Sequence, residues 1–271
     1  MKAAPCQPFA ALVEGSPLTR LLGHVWLGMP DTAPRRDDAF DADLVYVKVD
    51  ELAGQGDRLL DAMAERYAGD AAHHGRALLS QWSKFYFRLA APAAIAAAVT
   101  LRRPLEMPAD RCTVALADGM PVALYLPSDA LSAMTNEPAP RYRSFVHAHL
   151  RVVVDILAEL AHIAPRVLWG NVGNLIDALL DAYCDDADGE QASRDAAWIF
   201  GSPCLVEDER NPLRESVRPM TPRSALLPTP FRARRVCCLR YEIPGERQLC
   251  ASCPLLLTMN DEQIAEQTAI D

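Results

Sequence analysis

Arg234-Arg-Val-Cys237-Cys238-Leu-Arg-Tyr-Glu-Ile-Pro-Gly-Glu-Arg-Gln-Leu-Cys250-Ala-Ser-Cys253-Pro254 is the stretch around which this sequence is organised. It holds four of the chain's eight cysteines, whereas the other four stand singly, at Cys6, Cys112, Cys184 and Cys204. Cysteine is easily oxidised, so a chain that concentrates half of its cysteines in one short segment is expected to use them for a cofactor or a crosslink.

The spacing of these four cysteines favours a two-iron cluster over a single metal ion. Cys250 and Cys253 form a Cys-x-x-Cys loop, which brings two sulfurs close enough to bind one ion. Cys237 and Cys238 are adjacent, and successive side chains of an extended backbone point to opposite faces. Zinc sites normally separate each ligand pair by about two to four residues, while a 2Fe–2S cluster divides its cysteine ligands between two irons.

Other uses of the thiols remain open. A disulfide pair is disfavoured because the N-terminal residues include Pro5, Pro8 and Glu14 and no uninterrupted apolar core, so they do not read as a secretory signal. A structural zinc site is the main alternative on ligand type alone. A dithiol redox centre needs only the Cys-x-x-Cys pair and leaves the adjacent cysteines unexplained.

The composition is that of a globular, acidic protein. Half of the 271 residues are apolar and the formal net charge is −9, which argues against a general nucleic-acid binder. The longest weak candidate for a membrane span, Leu89 to Leu101, is mostly alanine and contains Pro92. Because the sequence shows neither a secretory signal nor a membrane span, we expect the protein to be located in the cytoplasm, where thiols stay reduced. Peripheral membrane association remains possible.

The periodicity predicts a mainly helical α+β fold with a small antiparallel β-hairpin. Apolar residues recur at helical spacing in residues 58–67, 78–89, 145–164 and 172–183, and an alanine-rich helix is expected after Pro92. The strongest β pattern is a hairpin near residues 112–126, while 44–49 fits a strand or a helix entry and 30–43 a polar loop. We predict a body of residues 1–230, which contains the hairpin, and a C-terminal cluster-binding segment of residues 231–271.

Several polar residues of these helices have a structural explanation. Gln81, Lys84 and Arg88 share the face opposite the apolar stripe, where solvation accounts for them. Asn171 suits a helix N-cap. His149 falls inside an apolar arc, where a hydrogen-bonded core residue is expected more than a ligand.

The cysteine stretch resembles the C-terminal motif of the FhuF-type ferric-siderophore reductases, and residues 79–84 and 168–172 also resemble stretches of that family. The resemblance implies a C-terminal iron–sulfur segment with a 2Fe–2S cluster on Cys237, Cys238, Cys250 and Cys253. It also implies one-electron reduction of ferric iron held in a siderophore, which we expect to be of the hydroxamate type and to bind to the body of residues 1–230. The candidates for substrate contact are Trp82, Lys84, His149, Asn171, Arg235 and Arg240.

The electron donor is expected to be another protein. The sequence contains no GxGxxG or P-loop motif, so we predict a ferredoxin-like or flavoprotein donor rather than a bound nucleotide. Between Arg210 and Arg240 lie eight arginines against one acid, Glu215. This basic stretch is either an approach surface for an anionic ligand or an acidic donor, or a solvated and ion-paired surface.

A function of another class stays open at this point. A zinc-stabilised module could bind a siderophore or a protein partner without redox activity. The helical body also resembles domains of siderophore-assembling synthetases, but the sequence carries no ATP-binding motif that would support a ligase. The metal content of the purified protein separates these alternatives from the reductase.

Overall fold

The computed structural model describes residues 6–29, 44–206 and 209–268. Its strands are β1 (Gln7–Pro8), β2 (Val25–Leu27), β3 (Leu44–Lys48), β4 (Thr113–Ala117), β5 (Met120–Leu126), β6 (Cys204–Val206), β7 (Glu209–Arg210), β8 (Val217–Met220) and β9 (Phe231–Arg234). Its α-helices are α1 (Gly56–Tyr67), α2 (Ala71–Val99), α3 (Pro138–Arg143), α4 (Arg151–Leu160), α5 (Pro165–Asp181), α6 (Gly189–Gly201) and α7 (Asp261–Thr268). The predicted loop of residues 30–43 lies outside the described residues.

Helix α2 runs through the centre of the main core and packs against α1, α5 and β5. It begins after Asp70, whose carboxylate accepts a hydrogen bond of 2.8 Å from the backbone N–H of His73. The prediction of two helices separated at Pro92 is wrong, because α2 continues through this residue. Proline removes one backbone hydrogen bond, and the apolar residues buried on both sides of Pro92 keep the helix intact.

The predicted hairpin is confirmed as β4 and β5, which pair antiparallel around a turn at Asp118-Gly119. It forms part of a larger sheet with the order β1-β2-β5-β4-β3, in which β2 and β5 are parallel. Gly119 has a φ of 80°, and a Cβ here would lie 2.5 Å from the carbonyl oxygen of Arg58 on α1. The turn therefore needs glycine both for its backbone conformation and for its close approach to α1.

The helix predicted over residues 145–164 has a different form. A π-helical segment, Ser144–Leu150, joins α3 to α4, and α4 ends at Leu160. Helix α5 then begins at Pro165, which is a favourable first residue because its missing N–H would have no helical partner. Among the described helices, none combines the length and the apolar character needed to cross a membrane.

The C-terminal residues build a second, smaller apolar cluster beside the main core. Leu227, Phe231, Ala233, Cys253, Leu256 and Ile264 are its buried members. The strand pair β8–β9 leads the chain into this cluster. Val236, Leu239 and Ile243 instead pack against the main core, so the segment that follows β9 lies between the two clusters.

Candidate metal centre

The four predicted ligand cysteines come together in the structure. The Cys237 thiol interacts with those of Cys238 and Cys253, and the Cys250 thiol also interacts with both Cys238 and Cys253. The contacts thus form a closed ring of four sulfurs. Cys238 and Cys253 are buried, whereas Cys237 and Cys250 are partly exposed.

Two turns create this arrangement. After β9 the chain bends and passes through Cys237 and Cys238, and Leu239 then adopts a left-handed conformation with a φ of 63°. This conformation is unfavourable for a bulky side chain and is typical of functional sites. In the second turn the backbone N–H of Cys253 donates to the carbonyl of Cys250 at 2.9 Å, and Pro254 begins the next helical turn.

Neighbouring thiols, and after them nearby positive charge, favour a thiolate at Cys238. The pKa of Cys238 lies far below its usual value, chiefly because the thiols of Cys237 and Cys250 interact with it, and the charges of Lys84 and Arg234 act in the same direction. Burial opposes this shift. The pKa of Cys253 is raised, first by its interaction with Cys237 and then by that with Cys250. Thiolate is the form that binds metal.

The pairwise sulfur contacts suit a two-metal cluster. Among the residues that the structure describes, no three His, Cys, Asp or Glu side chains are grouped to hold one ion. A 2Fe–2S cluster divides its ligands between two irons and asks for two sulfurs at each. Cys237, Cys238, Cys250 and Cys253 supply the four thiols that such a cluster needs, and the neighbouring cations are compatible with its negative charge.

Helix α2 holds the backbone of one cysteine in place. The carbonyl oxygen of Cys238 accepts hydrogen bonds from Ser80 Oγ at 2.8 Å and from Gln81 Nε2 at 2.7 Å. Lys84 Nζ in turn donates to Gln81 Oε1 at 2.7 Å. The prediction that Gln81 lies on a solvated face is wrong, because its side chain is buried and bonded to the cysteine segment.

Asn171 links α5 to both α2 and the end of β9. Its Nδ2 donates to the Ser80 carbonyl at 2.8 Å and to Ser83 Oγ at 2.9 Å, and its Oδ1 accepts a hydrogen bond from Arg234. The N-cap expectation for Asn171 is wrong, because α5 already begins at Pro165 and Asn171 is buried inside the helix. Together these contacts form a polar network behind the cysteines.

A cleft of about 940 Å³ opens beside Cys237. Three segments supply the side chains of its wall that matter for its chemistry: Arg166 and Trp169 of α5, Arg210 and Arg214 of the segment from β7 toward β8, and Arg235 and Cys237 after β9. Gly173 brings α5 and the β8 side of this region together, since a Cβ at this position would lie 2.6 Å from Ser216 Cβ. The backbone N–H of Arg235 donates to the Ser216 carbonyl at 2.9 Å.

Comparisons with known proteins fit this geometry. Residues 80–226, more than half of the chain, match the family described as ferric iron reductase FhuF-like transporter, and residues 234–255 match the FhuF 2Fe-2S C-terminal domain. The chain belongs to the FhuF family. The cofactor of this FhuF-family chain is a 2Fe–2S cluster, and Cys237, Cys238, Cys250 and Cys253, which all lie inside the matched C-terminal domain, are its predicted ligands.

This chain covers less than two thirds of the length of each of the following relatives. A ferric siderophore reductase of Escherichia coli (strain K12) is 26% identical over 180 residues, which are 66% of this chain and 65% of the relative. The aerobactin synthetase IucC of Klebsiella pneumoniae matches with a TM-score of 0.45 and 15% identity, over 64% of this chain and 36% of the synthetase. The petrobactin biosynthesis protein AsbB of Bacillus anthracis gives a TM-score of 0.46 and 11% identity, over 79% and 48% of the two chains.

The structure places the other predicted contacts of the FhuF-family chain in different surroundings. Trp82 and His149 are fully buried, with the Trp82 indole N–H donating to the Gly119 carbonyl at 2.8 Å. The expectation of a hydrogen-bonded core residue is confirmed for His149, whose ring nitrogens bond to the Tyr86 hydroxyl at 2.7 Å and to the Met107 carbonyl at 2.8 Å. Arg235 lines the cleft, whereas Arg240 forms an ion pair with Glu246 at 2.5 Å. A substrate contact stays a prediction for each of these residues.

Sequence reasoning missed part of the site. The sequence analysis gives Ser80 and Arg234 no role, although both lie in stretches that resemble the family. Arg166 and Trp169 stand outside the arginine-rich stretch and join the cleft only because α5 lies beside it. Both stretches that resemble the family, residues 79–84 and 168–172, place small polar residues between apolar ones. This pattern was the available indication that two helices meet there.

Proposed function

We propose that the chain is a one-electron ferric-siderophore reductase. When bound, the 2Fe–2S cluster supplies the electron that converts siderophore-held Fe(III) into Fe(II). The observation that carries the proposal is the position of Cys237, which belongs to the sulfur ring and also lines the basic cleft. A substrate in this cleft would lie next to a cluster ligand, and electron transfer is favoured by short distances.

The chemistry of the substrate explains why one electron is sufficient. Siderophores bind iron through hard oxygen donors, which favour Fe(III) over Fe(II). Reduction therefore loosens the iron, and no covalent bond of the chelator has to break. The chain itself has to hold the chelate beside Cys237 and to keep water away from the buried thiols of Cys238 and Cys253.

The polar network has a supporting role in this proposal. Lys84 and Arg234 bring positive charge toward Cys238, and the hydrogen bonds from Ser80 and Gln81 fix the backbone of that cysteine. Nearby cations raise the reduction potential of an anionic cluster. We therefore assign Lys84 a positioning and electrostatic role, which differs from the substrate contact predicted from the sequence.

The remaining parts of the proposal concern partners and location. A ferredoxin-like or flavoprotein donor would reload the protein with an electron, because the sequence carries no dinucleotide motif. The cytoplasm is the proposed location, since the cluster needs thiolates in reduced form.

We also propose that residues 231–271 act as the cluster-binding segment, and the separate apolar cluster around Phe231 and Ile264 supports this division.

An anaerobic single-turnover experiment tests the function. Protein that has been reduced with dithionite and freed of excess reductant is mixed with a ferric siderophore and a ferrous chelator. We expect the reduced-cluster spectrum to disappear as Fe(II) appears, with one Fe(II) per cluster, because a 2Fe–2S centre normally stores one electron. Protein that binds the siderophore while its reduced spectrum persists would contradict the proposal, and a colourless protein with one zinc would support the binding module.

A further inference from the structure

The cleft beside Cys237 carries positive charge that the rest of the described chain does not neutralise. Arg166, Arg210, Arg214 and Arg235 line it, and none of the four forms an ion pair with a described residue. The cleft also contains one acid, Glu215, which pairs with Arg218 at 2.8 Å. The four guanidinium groups therefore share a concave surface, and among the residues that the structure describes no carboxylate pairs with them.

This pattern differs from that of nearby arginines. Arg232 pairs with Asp177, and Arg240 pairs with Glu246. The protein as a whole is acidic, with a net charge of −9, so carboxylates are available to neutralise basic groups elsewhere. Concave surfaces lined with charge of one sign focus the electric field and raise the local concentration of oppositely charged ligands.

We propose that the cleft selects ferric chelates that carry a net negative charge and free carboxylate groups. This inference rests on the proposed reductase function and specifies its substrate class. Arginine forms paired hydrogen bonds with carboxylates in a fixed planar geometry, so several guanidinium groups around one cleft favour a ligand with more than one carboxylate arm. A neutral or cationic ferric hydroxamate would gain none of these bonds, and it would leave the cleft charge without a partner.

The shape of the cleft favours a small ligand over a protein surface. Small-molecule sites typically have volumes of roughly 300–1,000 Å³ and combine apolar walls with a few polar groups. The cleft has a volume of about 940 Å³, and Trp169 and Val236 add apolar surface to its wall. An acidic electron-donor protein is the competing occupant, and the experiment below separates it from the chelate.

Redox-inert gallium chelates provide a test that does not depend on turnover. Ga(III) has the same charge as Fe(III), so we would measure the binding of a Ga(III) citrate dihydroxamate, which is anionic, and of a neutral Ga(III) trihydroxamate by quenching of tryptophan fluorescence. We expect the anionic chelate to bind at least about tenfold more tightly, which corresponds to about 1.4 kcal/mol. Added salt should weaken its binding more than that of the neutral chelate.

Charge variants connect the preference to the cleft. Arg235→Gln and Arg214→Gln should each weaken binding of the anionic chelate about fivefold to tenfold and that of the neutral chelate much less. Arg223→Gln is the matched control, because Arg223 is exposed and lies outside the cleft wall but its loss changes the net charge equally. Circular dichroism and iron content of each variant would verify that the fold and the cluster are retained.

The other outcomes are separable. Equal affinity for the two gallium chelates, or equal effects of Arg223→Gln and Arg235→Gln, would overturn the inference. If the arginine variants bind chelate normally but accept electrons more slowly from a reduced acidic ferredoxin, the cleft is a donor site and the inference is wrong. A loaded, reduced protein that reacts with no ferric chelate of either charge would instead reject the proposed function.

Discussion

The buried contact between α5 and the cysteine segment gives a prediction whose magnitude follows from the structure. Asn171→Ala removes the donor to the Ser80 carbonyl, the donor to Ser83 Oγ and the acceptor for Arg234. A neutral buried hydrogen bond contributes about 1 kcal/mol and one to a charged group about 1.5–3 kcal/mol. The free energy of unfolding should therefore fall by about 3–5 kcal/mol.

Urea unfolding of the metal-free protein, followed by circular dichroism, measures this loss without a contribution from the cluster. Asn136→Ala is the matched control, because Asn136 is exposed. Asn171→Asp retains an acceptor for Arg234 but cannot donate to Ser80, so its stability should lie between those of wild type and Asn171→Ala.

The same variants should affect the loaded protein. Ser80 donates to the Cys238 carbonyl, and its position depends on Asn171. We therefore expect Asn171→Ala to retain less iron per chain and to shift the reduction potential of the remaining clusters. If Asn171→Ala unfolds within about 1 kcal/mol of Asn136→Ala and keeps wild-type iron content and potential, the network does not support the site, and the reasoning fails.

Three further predictions concern the body of the protein. Burial lowers the pKa of His149 from 6.5 to about 4, so the stability that its neutral form provides is fully present above pH 6.5 and is lost as the pH falls toward 4. Over this pH range the free energy of unfolding of wild type, measured by thermal unfolding, should fall by up to about 3 kcal/mol more than that of His149→Gln. Parallel pH profiles of the two proteins would contradict this. Asp195→Ala leaves the buried Arg141 without its ion-pair partner at 2.7 Å and should cost about 3–5 kcal/mol in urea unfolding, while a loss below 1 kcal/mol would show that water replaces the carboxylate. Gly173→Ala forces Ser216 away from α5 and should cost about 1–3 kcal/mol, and a Gly173→Ala, Ser216→Gly double variant should recover part of this loss.

The four ligand cysteines could be predicted from the sequence because they lie within one short segment. Two pairs of thiols in one short segment limit the possible chemistry, whatever the rest of the chain does. The hairpin and α1 were equally accessible, since turn residues and periodicity within a few positions define them. The division of α2 at Pro92 was wrong because burial on both sides of the proline outweighs one missing backbone hydrogen bond.

The network behind the cysteines could not be predicted in this way. Gln81 occupies a helix face that periodicity assigns to solvent, and its partner, the Cys238 carbonyl, lies 157 positions further along the chain. The partner is a backbone atom, so no side-chain type in the sequence marks the contact. Asn171 and Arg234 show the same difficulty, because polar residues in a helix and in a strand reveal their pairing only after the two elements pack.

The sulfur ring also lies at a boundary between two parts of the protein. Cys237, Cys250 and Cys253 belong to the smaller apolar cluster, while the Cys238 carbonyl is bonded to α2 of the main core. Metal that binds all four thiols would fasten the segment around Cys250 and Cys253 to the Cys237–Cys238 turn, whose backbone is bonded to α2, and binding that requires the folded site adds to its stability. Loss of iron should therefore release this segment to local opening, where proteases cut. We expect the half-life of the protein to follow its metal content, so that chains without a cluster are degraded before loaded ones.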